Sequence, residues 1–260
     1  MNDGHQTVSH RFGQAARRYA SAAIHARGAD LDWLIEAHPL TGDERVLDIG
    51  TGTGHVALAF APHVATVEGL DITPEMLDLA RAGAAERGLD NVAFIAGAAE
   101  NIPRTEALYD VVVSRWCAHH YQDIRGALAE IARVLRPGGV FLLVDAVVPA
   151  VPRIDTVINT LEKLRDGGHV RNYSLPEWLQ YTEDVGLHPS VLHEWALRLD
   201  GDDWIARIGT PAVYEAAIRQ LLADAEPDIQ SLLGITGEHD PAGWGFNLPA
   251  MLLKATKHTV

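Results

Sequence analysis

The sequence predicts an α/β fold, a mostly parallel sheet of seven strands with helices on both faces. Three observations predict it. Short apolar runs alternate with Ala- and Leu-rich helical stretches between residues 45 and 146. The first apolar run, 46–49, ends in Gly50, Gly52 and Gly54 before a helical segment, which reads as strand, tight turn and helix. Arg136-Pro137-Gly138-Gly139 stops a later helix and opens another apolar run. Such alternation implies right-handed crossovers and places ligands beyond the carboxyl ends of the strands.

The elements follow in order. Phe12, Ala15, Ala16, Tyr19, Ala22 and Ala23 recur at three- and four-residue spacing, so an amphipathic helix is expected within 9–38. A second helix over 30–37 should stop before Pro39. Preceding the first strand, these helices either cap the site or only pack against it. Strands are expected at 45–49, 65–70, 92–96, 110–114 and 140–146, with helices at 54–61, 74–87 and 124–135. Pro74 suits a first helical position, with Thr73 before it as a cap. After Pro149 the rhythm changes: helices are expected at 154–165, 176–185 and 211–223, and strands at 191–199 and 244–256. No second glycine fingerprint follows. The expectation is one domain over 1–260, with a helical cap (1–40), a cofactor-binding core (41–147), and an acceptor-side insertion with closing strands (148–260).

Composition narrows the function. A formal charge of −14 repels phosphate backbones, and no basic cluster beyond Arg17-Arg18 offsets it, so nucleic acid is not an expected partner. One cysteine, Cys117, permits neither an intrachain disulfide nor a cysteine zinc site. No run approaches the ~18 apolar residues that would span a bilayer. The polar first ten residues lack the apolar core of a signal peptide. A reducing cytoplasm fits these features, and homodimerisation is left open.

The glycine spacing carries the chemistry. In the dinucleotide fingerprint the third glycine would fall at position 55, which is His55. The chain instead reads Asp48-x-Gly50-Thr51-Gly52-x-Gly54. A second acid, Asp71, ends the second strand 21 residues after Gly50, where it either accepts ribose hydroxyls or caps the next helix.

Asp-x-Gly-x-Gly-x-Gly resembles the first motif of the class I S-adenosylmethionine (SAM) methyltransferases, whose fold is Rossmann-like. Leu70-Asp71-Ile72-Thr73-Pro74-Glu75-Met76 is similar to the family's second motif. Gly97-Ala98-Ala99-Glu100 is similar to the segment that cups adenine. Residues 109–114 and 130–139 resemble the fourth strand and the approach to the fifth. Residues 9–31 and 165–173 also look like one bacterial subgroup, the ubiquinone/menaquinone C-methyltransferase-like (type 11) proteins. The resemblance implies SAM as cofactor and S-adenosylhomocysteine as product. It assigns the cofactor to Asp48, Gly50, Thr51, Gly52, Gly54, Asp71, Ile72, Met76, Ala98, Ala99, Glu100 and Arg115. The family often has Asp where this chain has Ala98, so adenine contacts would pass to backbone around Ala98 and Ala99, with Glu100. SAM carries no phosphate, and no Lys or Arg lies between Asp48 and Asp71. Arg115 either sits near the amino acid tail or pairs with a carboxylate.

The acceptor is expected past the fourth strand, at Trp116-Cys117-Ala118-His119-His120. Histidine suits a base near neutral pH, and a base is needed only if the acceptor must lose a proton. His119 and His120 are therefore the catalytic candidates, His119 for an acceptor contact and His120 at a position often structural in the family. Adjacent histidines point apart and no further ligand completes a metal site, so none is expected. Phe12, Tyr19, Trp116, His119, His169, Arg171, Tyr173 and Trp195 are the candidates for binding a small-molecule acceptor. The expected function is methyl transfer from SAM to that molecule, at carbon, nitrogen or oxygen. The alternative keeps SAM in a non-methylating role, as a cyclase-like enzyme or a partner-activating subunit.

Overall fold

Seven strands are spaced by helices as the apolar rhythm predicts. They are β1 (Arg45–Ile49), β2 (Thr66–Asp71), β3 (Val92–Ala96), β4 (Tyr109–Arg115), β5 (Leu135–Ala146), β6 (Leu187–Asp200) and β7 (Gly245–Lys257). They form one sheet in the order β3-β2-β1-β4-β5-β7-β6. The first five are parallel, and β7 runs antiparallel between β5 and β6. The computed structural model describes residues 3–21, 28–237, 240–241 and 243–258, without the side chains of 19–21. The Tyr19 side chain, Ala22 and Ala23 of the expected amphipathic stripe therefore lie outside the described residues.

The described helices are α1 (Asp3–Ser21), α2 (Ala29–Glu36), α3 (His55–Phe60), α4 (Pro74–Glu86), α5 (Ile124–Val134), α6 (Pro152–Arg165), α7 (Leu175–Asp184), α8 (Gly201–Ile208), α9 (Ala212–Ala223) and α10 (Pro227–Leu233). Every residue of β4 is buried because helices cover both sheet faces, which is why it reads as a continuous Val run. Side chains alternate between the faces. Leu47, Ile49 and Val112 join one core with α5 and α7, whereas Val46, Val111 and Val113 join another with α3 and α4. Burying each such Val or Leu stabilises the fold by roughly 1.5–3 kcal/mol. A third core, with Ile158, Leu161, Trp204, Ile218, Leu222 and Phe246, gathers the inserted helices over the β6–β7 end of the sheet.

Three boundaries differ most from expectation, and two helices are additional. Helix α1 begins at Asp3, so the polar start is already helical. Strand β5 begins at Leu135, because Tyr109 pairs with Leu135 and Val111 with Val140, and residues 136–139 bulge out opposite Asp110. Strand β6 is longer than expected because Leu192 is absorbed by a bulge between Val191 and His193. Helices α8 and α10 were not anticipated. Both are short and end at glycines in the left-handed conformation, Gly209 and Gly234.

Candidate functional site

The turn after β1 is held by its own backbone. The Gly50 and Thr51 N–H groups both donate to the Leu70 carbonyl, at 2.8 and 3.0 Å, and Gly54 N–H donates to Thr51 O. Gly54 has φ +87°, and a Cβ there would meet Ala80 Cβ at 3.0 Å, so the third glycine lets α3 lie against α4. Gly52 has φ +52° and faces open space. Asp48 is buried beneath the turn. Its Oδ2 accepts from Thr51 Oγ1 at 2.6 Å and from Ala57 N at 3.1 Å, tying β1 to the start of α3. Burial pushes its carboxyl up to about 7, and the nearby Asp71 adds to the rise.

This turn forms one wall of an open cavity of about 990 Å³. All twelve expected cofactor residues except Gly54 line it. Asp71 closes the end of β2, its Oδ1 accepting from Thr73 N (2.8 Å) and its Oδ2 from Gly52 N (2.9 Å). Burial raises its carboxyl above the ordinary range. Ile72 and Met76 supply apolar surface. Ala98 and Ala99 lie in a turn closed by Asn101 N donating to Ala98 O.

Two expected contacts are already spoken for by the protein. Arg115 is buried and forks onto Asp30 of α2, Nε to Oδ2 at 2.7 Å and Nη2 to Oδ1 at 3.0 Å. Glu100 Oε1 accepts from Gln122 N at 2.6 Å, and its Oε2 lies 3.1 Å from His5 Nε2. His5, Val8 and Phe12 of α1 complete the cavity wall, so this helix covers the cavity as well as packing on α4 and α8. Ser9 Oγ donates to Ile72 O, and Arg11 Nε donates to Asp166 Oδ1 at 2.9 Å.

Trp116 follows β4 at φ +54°, a conformation costly for a large side chain. Its Nε1 donates to Asp30 Oδ2 at 2.9 Å and its backbone N to Val144 O, which hold it there. With Phe12 and His120 it divides the first cavity from a second of about 570 Å³. The second cavity is walled by Leu197, Leu199, Trp204 and Leu248, and carries His119, Glu162, Arg165, Asn172 and Arg207.

His119 Nδ1 lies 2.6 Å from Asp145 Oδ1, and its backbone N donates to Asp145 Oδ2. A carboxylate accepts, so Nδ1 carries the proton and Nε2 has the lone pair in the neutral ring. Burial pulls His119 down, but the charge and hydrogen bond of Asp145, with Glu162 and Asp166, hold it above its ordinary value. His120 goes the other way: burial and the neighbouring His119 charge lower it, and its Nδ1 bonds Gly168 O. Burial raises the Glu162 carboxyl.

The remaining acceptor candidates scatter. His169 is buried behind His119 with ring centroids 5.6 Å apart, its Nε2 on Asn159, outside both cavities. Arg171 pairs with Asp155 and Glu177 and lies over the Tyr173 ring. Tyr173 is core, edge-on to Trp178 and Tyr181. Trp195 packs between Trp33 and Trp116. These three line neither cavity. A polar loop in sequence does not reveal which side chains its own helices will claim. Sequence reasoning missed Glu162, Arg165 and Arg207. The available signal was charge on an apolar stripe, since Glu162 and Arg165 continue the Ile154, Ile158, Leu161 face of α6. Among the described residues, no group of three or more His, Cys, Asp or Glu is disposed to hold a metal. No described helix is long and apolar enough to cross a membrane.

A family model for a methyltransferase domain matches residues 47–143. The chain is 39% identical over 246 residues to the uncharacterized methyltransferase YcgJ of Bacillus subtilis, covering 95% of this chain and 97% of that one. The crystal structure of YcgJ superposes with a TM-score of 0.86 at 38% identity, over 89% of this chain and 99% of that one. A demethylmenaquinone methyltransferase of Deinococcus radiodurans is 35% identical over 154 residues, 57% of this chain and 64% of that one.

Proposed function

The chain belongs to this methyltransferase family, and from that premise we propose that it moves the methyl group of SAM onto a small molecule held in the second cavity. The observation that carries the reading is the pair of cavities sharing Phe12, Trp116 and His120 as a common wall. One is lined by a glycine turn and carboxylates, the other by apolar side chains around His119. A second built cavity beside the first favours transfer over a role in which SAM is only retained.

The residues of the first cavity fit SAM. Its one cationic side chain that is always charged, Arg115, is neutralised by Asp30, so nothing there calls for a phosphate. Asp71 would exchange its bond to Gly52 N for ribose hydroxyls. Ile72 and Met76 would flank adenine. The open space at Gly52 admits an amino acid tail against the backbone. Bound there, SAM supplies a methyl carbon made electrophilic by its sulfonium.

The chain then has three tasks: to align the acceptor, to exclude water and to take a proton where the acceptor must lose one. Helix α1 covers the first cavity, and Trp116 separates it from the second. The His119 ring is oriented by Asp145 and presents the basic nitrogen. Calorimetric titration with S-adenosylhomocysteine and with NAD tests the reading. Binding of the first at roughly micromolar strength, without the second, is the expected result. NAD binding, or neither, would overturn it.

A further inference from the structure

The second cavity contains polar groups that the fold itself leaves unspent. Asn172 is 2% exposed and lines the cavity, yet among the described residues neither its Oδ1 nor its Nδ2 has a hydrogen-bond partner. Only its backbone is anchored: its N–H donates to Asn159 Oδ1, and its carbonyl accepts from Asn159 Nδ2. Arg207 reaches the same cavity from α8. Its Nη2 is held by Asp203, and its buried Nε–H has no partner among the described residues.

Buried polar atoms without partners are costly and rare, so three of them on two residues that line one cavity point to a ligand that supplies the missing bonds once the side chains turn toward it. A side-chain amide offers a donor and an acceptor side by side. Its complement is the same edge reversed, a carbonyl oxygen next to an N–H or O–H. The Arg207 Nε–H adds a second donor within the lining of the same cavity.

Charge argues that the ligand is neutral. Glu162 and Arg165 face each other at 3.7 Å, and Arg207 is paired with Asp203. The walls of Leu197, Leu199, Trp204 and Leu248 ask for an apolar body.

We infer that Asn172 and Arg207 select a neutral acceptor whose apolar frame carries a hydrogen-bond donor adjacent to a carbonyl, as an unsubstituted lactam does. The inference rests on the methyltransferase reading and names the substrate class of its acceptor cavity. Asn172 and Arg207 hold the carbonyl edge, and the apolar frame fills the space between them and His119.

The test titrates the protein, saturated with S-adenosylhomocysteine, with caprolactam and with N-methylcaprolactam. The second keeps shape and carbonyl but lacks the donor. Caprolactam is expected to bind about tenfold tighter or better, the loss for one buried unmade bond. In Asn172→Leu, whose side chain breaks no hydrogen bond of the fold, that preference should vanish while S-adenosylhomocysteine affinity is kept. Equal binding of the two lactams by the unaltered protein overturns the inference and leaves the methyltransferase reading standing, as does a preference that survives Asn172→Leu. Failure of S-adenosylhomocysteine to bind overturns both.

Discussion

In the first cavity most contacts come from the turns at the ends of β1, β2 and β3, three neighbouring parallel strands, with α1 and the end of β4 completing the wall. In the second they come from side chains on α1, α6, α8, β6 and β7, elements far apart in sequence. The first is set by where crossovers must turn, and its key residues fall in a few short stretches, 48–54, 71–76 and 98–100. The second is set by how inserted helices converge, and no short stretch encodes it. One region tolerates little change in backbone, and the other tolerates little change in side-chain chemistry.

Substitutions should expose that difference. The largest effect is expected from Gly52→Val. A β-branched residue at φ +52° cannot keep the turn, and its bulk enters the cavity. S-adenosylhomocysteine binding measured by calorimetry should be abolished. Asp71→Ala removes a charged partner of the bound nucleoside and should weaken the same binding by about a hundredfold, or about 3 kcal/mol. Retention of affinity in both variants would break the backbone-built account of the first cavity.

His119→Gln tests the other side. Turnover of the native acceptor should fall by about a hundredfold in single-turnover assays, while S-adenosylhomocysteine affinity stays within about twofold. A loss of cofactor affinity instead would erase the distinction between the cavities.

Two buried groups also titrate in opposite senses. Asp48 has a folded pKa of about 7 against 3.8 in the unfolded chain, so the folded state holds the extra proton. Stability from this group is therefore greatest below pH 3.8 and falls as pH rises towards 7. Asp48→Asn keeps an oxygen for Thr51 and Ala57. It should raise the melting temperature above pH 7 and leave it unchanged in acid. His120 is lowered from 6.5, so its contribution is full above that pH and is lost as pH falls. Melting curves across this range check both signs. The smallest effect is expected from His5→Ala, which cuts one partly exposed tie between α1 and Glu100. Release of S-adenosylhomocysteine in stopped flow should quicken by at most about fivefold.

Legibility in the sequence follows the same division. The strand–turn–helix at Gly50–Gly54, the acid at Asp71 and the Pro74 helix start were readable because each is local chemistry at fixed spacing. So was the sheet, because buried parallel strands leave continuous apolar runs such as 111–113. Arg115 was readable as either a tail contact or the partner of a carboxylate; the fold shows the second, with Asp30, which lies 85 positions away where nothing in spacing couples the two. Within the polar stretch 165–173, His169, Arg171 and Tyr173 were the acceptor candidates. In the fold the stretch splits: Asn172 and Arg165 face the cavity, Tyr173 turns into the core, and Arg171 is claimed by Asp155. Arg207 was invisible because α8 itself was, a helix of eight residues between a strand and Gly209.

The central claim is that a phosphate-free nucleoside lies across the ends of β1 and β2 with its sulfur at the wall shared by the two cavities. A crystal structure of the complex with S-adenosylhomocysteine measures this directly. The account predicts both ribose hydroxyls on Asp71, the tail against the Gly52 backbone and the sulfur beside Trp116 and His120. A ligand seated elsewhere, or an Asp71 still bonded only to Gly52 and Thr73, would contradict it.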